Sequence, residues 1–244
     1  IFVCLLSIIL ITGSYLILKP SLPEIKYVDE SELQMPLKVY TNDGVLIGEF
    51  GEIKRRATSF NEIPDNIKNA FLAAEDDNFF NHQGISYSGL IRSFVRCLRP
   101  SGCEGGGGTI TMQVVRGYLL SPEQTVVRKI KEIFLALELE SNIGKEEIFE
   151  LYVNRIFLGN RSYGIEAASN TYFNKSLKEL DISESATIAA IAQLPSRINP
   201  VKNPRRTLIR RNWILSRMLL LEFIDKDEFE KSISKDIKIA NNID

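Results

Sequence analysis

The sequence predicts a mainly α-helical protein with a small β-hairpin segment near its start and an apolar helix ahead of that. Three observations carry this. From Pro64 onward apolar residues recur at helical spacing, one stretch (LKVYTNDGVLIGEF) alternates apolar and polar instead, and the first 18 residues hold no charge. The 244 residues suit one large domain with appendages, and 44% hydrophobic with 25% charged residues excludes wholesale disorder. Thirty Lys+Arg against 31 Asp+Glu leave a net charge of -1, so bulk charge argues against nucleic acid as a partner. Three Cys and one His, spread along the chain, give no expectation of a structural metal.

The first element is IFVCLLSIILITGSYLIL, closed by Lys19-Pro20. At 1.5 Å per residue it spans about 27 Å, enough to cross a hydrocarbon core. A signal peptide is the rival, but no small-residue cleavage site follows, so residues 1–18 are read as a single-pass transmembrane anchor. Residues 19–55 are linker and hairpin: Pro20, Pro23 and Pro36 break the chain, and Asn42-Asp43-Gly44 is a hairpin turn signal. Ile67, Ala70, Phe71 and Ala74 then form one helix face, and Val126, Ile130, Ile133, Phe134 and Leu137 a second. Further helices are expected at 145–157, 182–194 and 205–222. Asp181 with Glu184 forms a capping box ahead of the second of these, and Asp225 with Glu228 starts a last short helix.

The first cluster with chemical potential is AAEDDNFFNHQG. If the helix from residue 65 persists, Glu75, Phe79 and His82 share a face. Glu75 follows an apolar stripe and neighbours two acids, and burial with like charge raises a carboxyl pKa toward that of a general base. A solvated acidic helix end is the plainer alternative, as is a structural His82. In the second cluster Arg128 and Glu132 lie at i and i+4 with Lys129 beside them. They make either a surface ion pair or a phosphate cradle. Between the clusters runs GGGGTITMQVVR, where a glycine run feeds a helix carrying Gln113 and Arg116. It lacks the Gly-Lys-Ser/Thr ending of a Walker motif.

In this order and spacing the clusters resemble the peptidoglycan glycosyltransferase family, the polymerase module of class A penicillin-binding proteins and monofunctional transglycosylases. Glu75-Asp76-x-x-Phe79-x-x-His82-x-Gly84 matches that family's first motif. Gly106-Gly107-Gly108-Thr109-Ile110-Thr111-Met112-Gln113 is similar to the second, and Arg128-Lys129-x-x-Glu132 matches the third. The segment Glu147–Asn154, which contains Tyr152, continues through Gly164-Ile165-Glu166 to Tyr172-Phe173 and is similar to the fourth. Ala186–Pro195 with Asn199-Pro200 and Arg210-Arg211 is similar to the fifth. The departures are Gly108 for Ser, Met112 for Gln, Gly117 for Asn or Asp, and Ser86 for a frequent Asp.

The resemblance implies a lysozyme-like two-lobed glycosyltransferase domain over 56–225, with 226–244 beginning a linker to a further C-terminal domain. It implies Glu75 and Glu132 as catalytic residues. Asp76, Phe79, His82, Thr109, Gln113, Arg116, Arg128, Lys129 and Tyr152 are implied as substrate-binding residues. No cofactor is required, and a divalent cation (Mg or Mn) at the diphosphate is compatible with the residues. The implied substrates are lipid II and the growing glycan strand, and the implied neighbours are membrane lipid and other cell-wall synthesis proteins. The implied site of action is the periplasmic side of the inner membrane. Cys97 and Cys103 flank a five-residue loop, where an oxidising periplasm allows a disulfide or two thiols. A lysozyme-type hydrolase and a catalytically impaired cell-wall scaffold are the rival readings. Arg205, Arg206, Arg210 and Arg211 are read as a basic face, either solvated or in contact with lipid headgroups.

Overall fold

A computed structural model of the chain describes residues 12–23, 25, 37–41, 46–50, 57–87, 89, 108–121 and 125–240. The chain divides into two compact units, one of Ile1–Val28 with Glu75–Tyr152, the other of Asp29–Ala74 with Val153–Asp244. The described residues are mainly helical: α1 (Asp65–Glu75), α2 (Ile110–Leu119), α3 (Val126–Asn142), α4 (Lys145–Arg155), α5 (Ile165–Phe173), α6 (Ile182–Ala192), α7 (Pro204–Leu220) and α8 (Lys226–Ile233).

The first unit is built on α2, α3 and most of α4. Thr109 caps α2 by accepting the Met112 N–H, and Thr125 caps α3 by accepting the Arg128 N–H. The apolar face expected on α3 is not the one it buries. Glu132, Leu135, Ala136 and Leu139 are buried, whereas Val126 and Leu137 are exposed. Cationic partners for Glu132 offset its burial, so ion pairing overrides the hydrophobic period here. Residues 12–18 are helical, and Tyr15 meets Phe134 of α3 edge-on with ring centroids 5.2 Å apart. No helix among the described residues is long and apolar enough to cross a membrane, and residues 1–11 of the expected anchor lie outside them.

In the second unit α6 is buried on nearly every side by Ser183 and the run from Ser185 to Ile191. Its capping box forms as the sequence predicts, Asp181 accepting the Glu184 N–H at 2.9 Å. Around it lie α5, α7 and α8, the last capped by Asp225. Residues 226–240, read as the start of a linker, lie against this unit, with the Ala240 N–H donating to the Tyr172 carbonyl. Strands β1 (Leu37–Tyr40) and β2 (Leu46–Phe50) pair antiparallel with Leu37 opposite Phe50 and an irregularity at Val39/Tyr40. The turn expected at Asn42-Asp43-Gly44 lies outside the described residues. Gly164 has φ of +80°, and a Cβ there would lie 2.7 Å from the Asn154 carbonyl oxygen, so only glycine suits this contact.

Candidate active site

The site lies within the first unit. α1 ends at Glu75, and the expected continuation of the helix through His82 does not occur; Phe79–Asn81 form a 3-10 turn. Asp76 supplies the reason. One carboxylate oxygen accepts the Ile110 N–H of α2 (3.1 Å) and meets His82 Nε2 (2.9 Å), partners that come from tertiary structure. Both side chains are almost wholly buried. Gly84 closes this segment with φ of +76°, and an added Cβ would stand 2.7 Å from the Ala136 carbonyl oxygen of α3. The Thr109 hydroxyl donates to the Gly84 carbonyl as well as capping α2. The segment after Glu75 is therefore bonded to the start of α2 and closely approaches the α3 backbone at Gly84.

Gln113 Nε2 donates to Glu75 Oε2 at 2.9 Å. One turn along α2, Arg116 reaches Glu132 of α3, with Nε 3.0 Å from Oε1 and Nη2 3.3 Å from Oε2. Lys129 Nζ lies 2.9 Å from Oε2 and Arg128 Nε 3.5 Å from Oε1. Glu132 has no exposed side-chain surface, whereas Arg116 and Lys129 keep 42% and 43% of theirs and Arg128 keeps 18%. Burial is the largest influence on the Glu132 carboxyl and would raise its pKa. The hydrogen bonds and charges of Arg116 and Lys129 outweigh it and hold the group below the ordinary value. One negative charge thus stands against three positive ones, and the two uncompensated charges are partly open to solvent. That combination suits a bound anion.

The remaining predicted residues sit deeper. Phe79 is 1% exposed, packs on Phe149 with ring centroids 6.1 Å apart, and carries Lys145 Nζ 4.4 Å above its ring. Thr109 and Asp76 are likewise buried. Of these three, read from sequence as substrate contacts, Phe79 is held by ring packing, while the polar groups of Asp76 and Thr109 bond within the protein. Tyr152 is buried, and its hydroxyl pKa is raised well above 10, first by burial and then by the negative charges of Glu75 and Asp76. It is a neutral phenol beside the carboxylates.

Two departures acquire a physical account. Met112 is wholly buried, so an apolar side chain fills a core position on α2. A Cβ on Gly108 would lie 3.3 Å from Arg116 Nη2 and 3.8 Å from Lys129 Nζ, so glycine leaves room beside the cations. Cys4, Cys97, Cys103 and Gly105 to Gly107 lie outside the described residues. Sequence reasoning missed Glu140, which accepts from Thr111 of α2 and from Lys145 of α4 (2.6 Å) and so links three helices. No periodic signal marks that trio. The basic face also needs correction: Arg211 is wholly buried, leaving Arg205, Arg206 and Arg210 from that reading. Among the described residues no group of three or more His, Cys, Asp or Glu is placed to hold a metal ion.

Comparison with known proteins shows the family to which the chain belongs. Residues 43–219 match the family model described as Transglycosylase. Over 232 residues the chain is 47% identical to penicillin-binding protein 1A of Pseudomonas aeruginosa, a match covering 95% of this chain and 28% of that protein. Penicillin-binding protein 1A of Escherichia coli is 40% identical over 222 residues, covering 91% and 26%. A crystal structure of penicillin-binding protein 1A from Haemophilus influenzae aligns at 32% identity with a TM-score of 0.49, covering 86% of this chain and 22% of that one. The chain therefore spans less than a third of the length of the curated relatives it matches. With the family model covering most of its residues, the chain belongs to the transglycosylase family.

Proposed function

We propose that this chain is a peptidoglycan glycosyltransferase that polymerises lipid II into glycan strands, releasing polyprenyl diphosphate, in bacterial cell-wall synthesis. The observation that carries the reading is the surplus of positive charge around Glu132, set one helical turn from Gln113 and its Glu75 partner. Gln113 and Arg116 are three residues apart on α2, about 4.5 Å along its axis. A base and an anion cradle at that spacing suit displacement at a sugar carbon, with the nucleophile activated on one side and a phosphate leaving on the other.

In this mechanism the acceptor 4-hydroxyl attacks the anomeric carbon of the donor, and Glu75 Oε takes its proton as the new C–O bond forms. The Gln113 amide holds Glu75 in place. The bond to the diphosphate breaks with inversion, and Arg116, Arg128 and Lys129 stabilise the charge that develops on the leaving oxygens. Glu132 orients those three cations and keeps them clustered before substrate arrives. It does not fit the alternative task of holding a divalent cation, because both its oxygens are engaged by positive side chains. No step here runs through a metal. A hydrolase has no leaving diphosphate to stabilise, so the surplus charge would serve no purpose in one. The apolar stretch of residues 1–18 supports a single-pass inner-membrane location, and the proposed reaction on cell-wall precursors puts this domain on the periplasmic side.

The test is synthesis of glycan from labelled lipid II by the detergent-solubilised chain, comparing wild type with Glu75→Gln. Loss of a positioned base lowers the rate by about 10²–10⁴ with the fold retained. Substantial polymerisation by the variant would remove Glu75 from the base role, and cleavage of finished peptidoglycan by the wild type would replace the polymerase with a hydrolase.

A further inference from the structure

The second unit carries a feature that this chemistry does not use. From Ser185 to Leu221 the chain contains no Asp or Glu and seven Lys or Arg. α7 occupies the end of that stretch and is apolar on two opposite sides. Its inward side buries Thr207, Arg211, Ile214, Leu215 and Met218. On its outward side Ile209, Trp213 and Leu220 are 64%, 44% and 70% exposed. With Ser216 they fall within about 60° of one another at about 100° per residue. Arg205 and Arg206 are exposed at the start of this stripe, Arg217 lies along its edge, and the Arg210 guanidinium sits 4.0 Å over the Trp213 ring.

Single exposed apolar residues are ordinary, but three in register along one helix, edged by cations and free of acids, are not. The combination selects a partner that is apolar within and anionic at its rim. We propose that the outward face of α7 lies on the surface of an anionic phospholipid bilayer. Ile209 and Leu220 enter the acyl boundary, Trp213 sits at headgroup depth, and the stems of Arg205 and Arg206 extend alongside so that their guanidiniums meet lipid phosphates. A second copy of this face is a poor occupant, since arginines would meet arginines. Nucleic acid would leave the apolar stripe in water. The inference does not depend on the polymerase reading.

Trp213 is the chain's single tryptophan, so its emission reports this face alone. The full chain is reconstituted in vesicles of equal parts phosphatidylglycerol and phosphatidylcholine whose acyl chains carry bromine. Trp213 emission is expected to shift to the blue and to be quenched by the bromine. Both effects are expected to be lost in brominated phosphatidylcholine alone and at high salt. Arg205→Gln with Arg206→Gln weakens docking roughly thirtyfold, from the attraction of two basic residues to an anionic surface. Ile209→Ser with Leu220→Ser keeps every charge and is expected to abolish the quenching too. Water-like emission in the anionic vesicles overturns the proposal. So does a blue shift already present in detergent without lipid, which would mean that protein covers the face, and so does full quenching that survives both pairs of substitutions. Glycan synthesis is not part of the readout, so failure here and failure of the proposed activity are distinguishable.

Discussion

Glu132 and Arg211 both have no solvent exposure, yet they sit in opposite surroundings. Glu132 is an anion met by three cations that reach it from α2 and α3 with their outer parts in solvent. Arg211 is a cation met by neutral oxygens: Ser183 Oγ, Asn212 Oδ1 and the carbonyls of Ile233 and Lys235. Five hydrogen bonds spend the five N–H donors of its guanidinium, so nothing is left for a ligand. Burial lowers the Arg211 pKa, and the charges of Asp236 and Asp181 partly restore it. The contrast separates two uses of a buried charge. A saturated one fastens segments together, here α6, α7 and the end of α8. One surrounded by an excess of opposite charge presents that excess to whatever enters.

The largest expected effect comes from breaking the saturated side. Arg211→Met strands the carbonyls of Ile233 and Lys235 and the Ser183 hydroxyl, and is expected to cost about 3–5 kcal/mol of stability, as for removal of one member of a buried charged network. Urea unfolding measures it, and an unchanged midpoint would show that Arg211 is not the fastening. A smaller effect, of a different kind, belongs to the open side. Lys129→Ala should weaken a fluorescent phosphoglycolipid by about tenfold to a hundredfold, the worth of one charge-assisted hydrogen bond, and slow polymerisation alongside. Its unfolding midpoint should move little, because Glu132 keeps Arg116 and Arg128. Lys129→Arg should fall between, since the charge remains while the donor geometry changes. Equal affinity across the three proteins would sink the cradle.

The smallest effect is in pH. Because the folded Glu132 pKa is held below its ordinary 4.5, its contribution to stability is fully present above that value and is lost as pH falls through the lowered one. The stability gap between wild type and Glu132→Gln should therefore narrow as pH falls below the ordinary value of 4.5 and through the lowered one. Arg211→Met should show no comparable narrowing from its own titration, since the guanidinium stays charged across that range. A gap that widens with acid would reverse the assignment.

Much of this protein was legible in one dimension because its signals are local. The capping boxes at Asp181 and Asp225, the apolar face of α1 and the Arg128-Lys129-x-x-Glu132 spacing all depend on residues a few positions apart. What tertiary structure alone decided depends on partners far away in sequence. α1 stops at Glu75 as Asp76 bonds an amide 34 residues on. α3 turns Glu132 inward because Arg116 arrives from another helix. Arg210 and Arg211 are neighbours of identical chemistry, and a rotation of about 100° per residue leaves one half-buried against the Trp213 ring and sends the other into the core. Which of two adjacent arginines becomes structure is settled by the packing surface, since no local preference separates them.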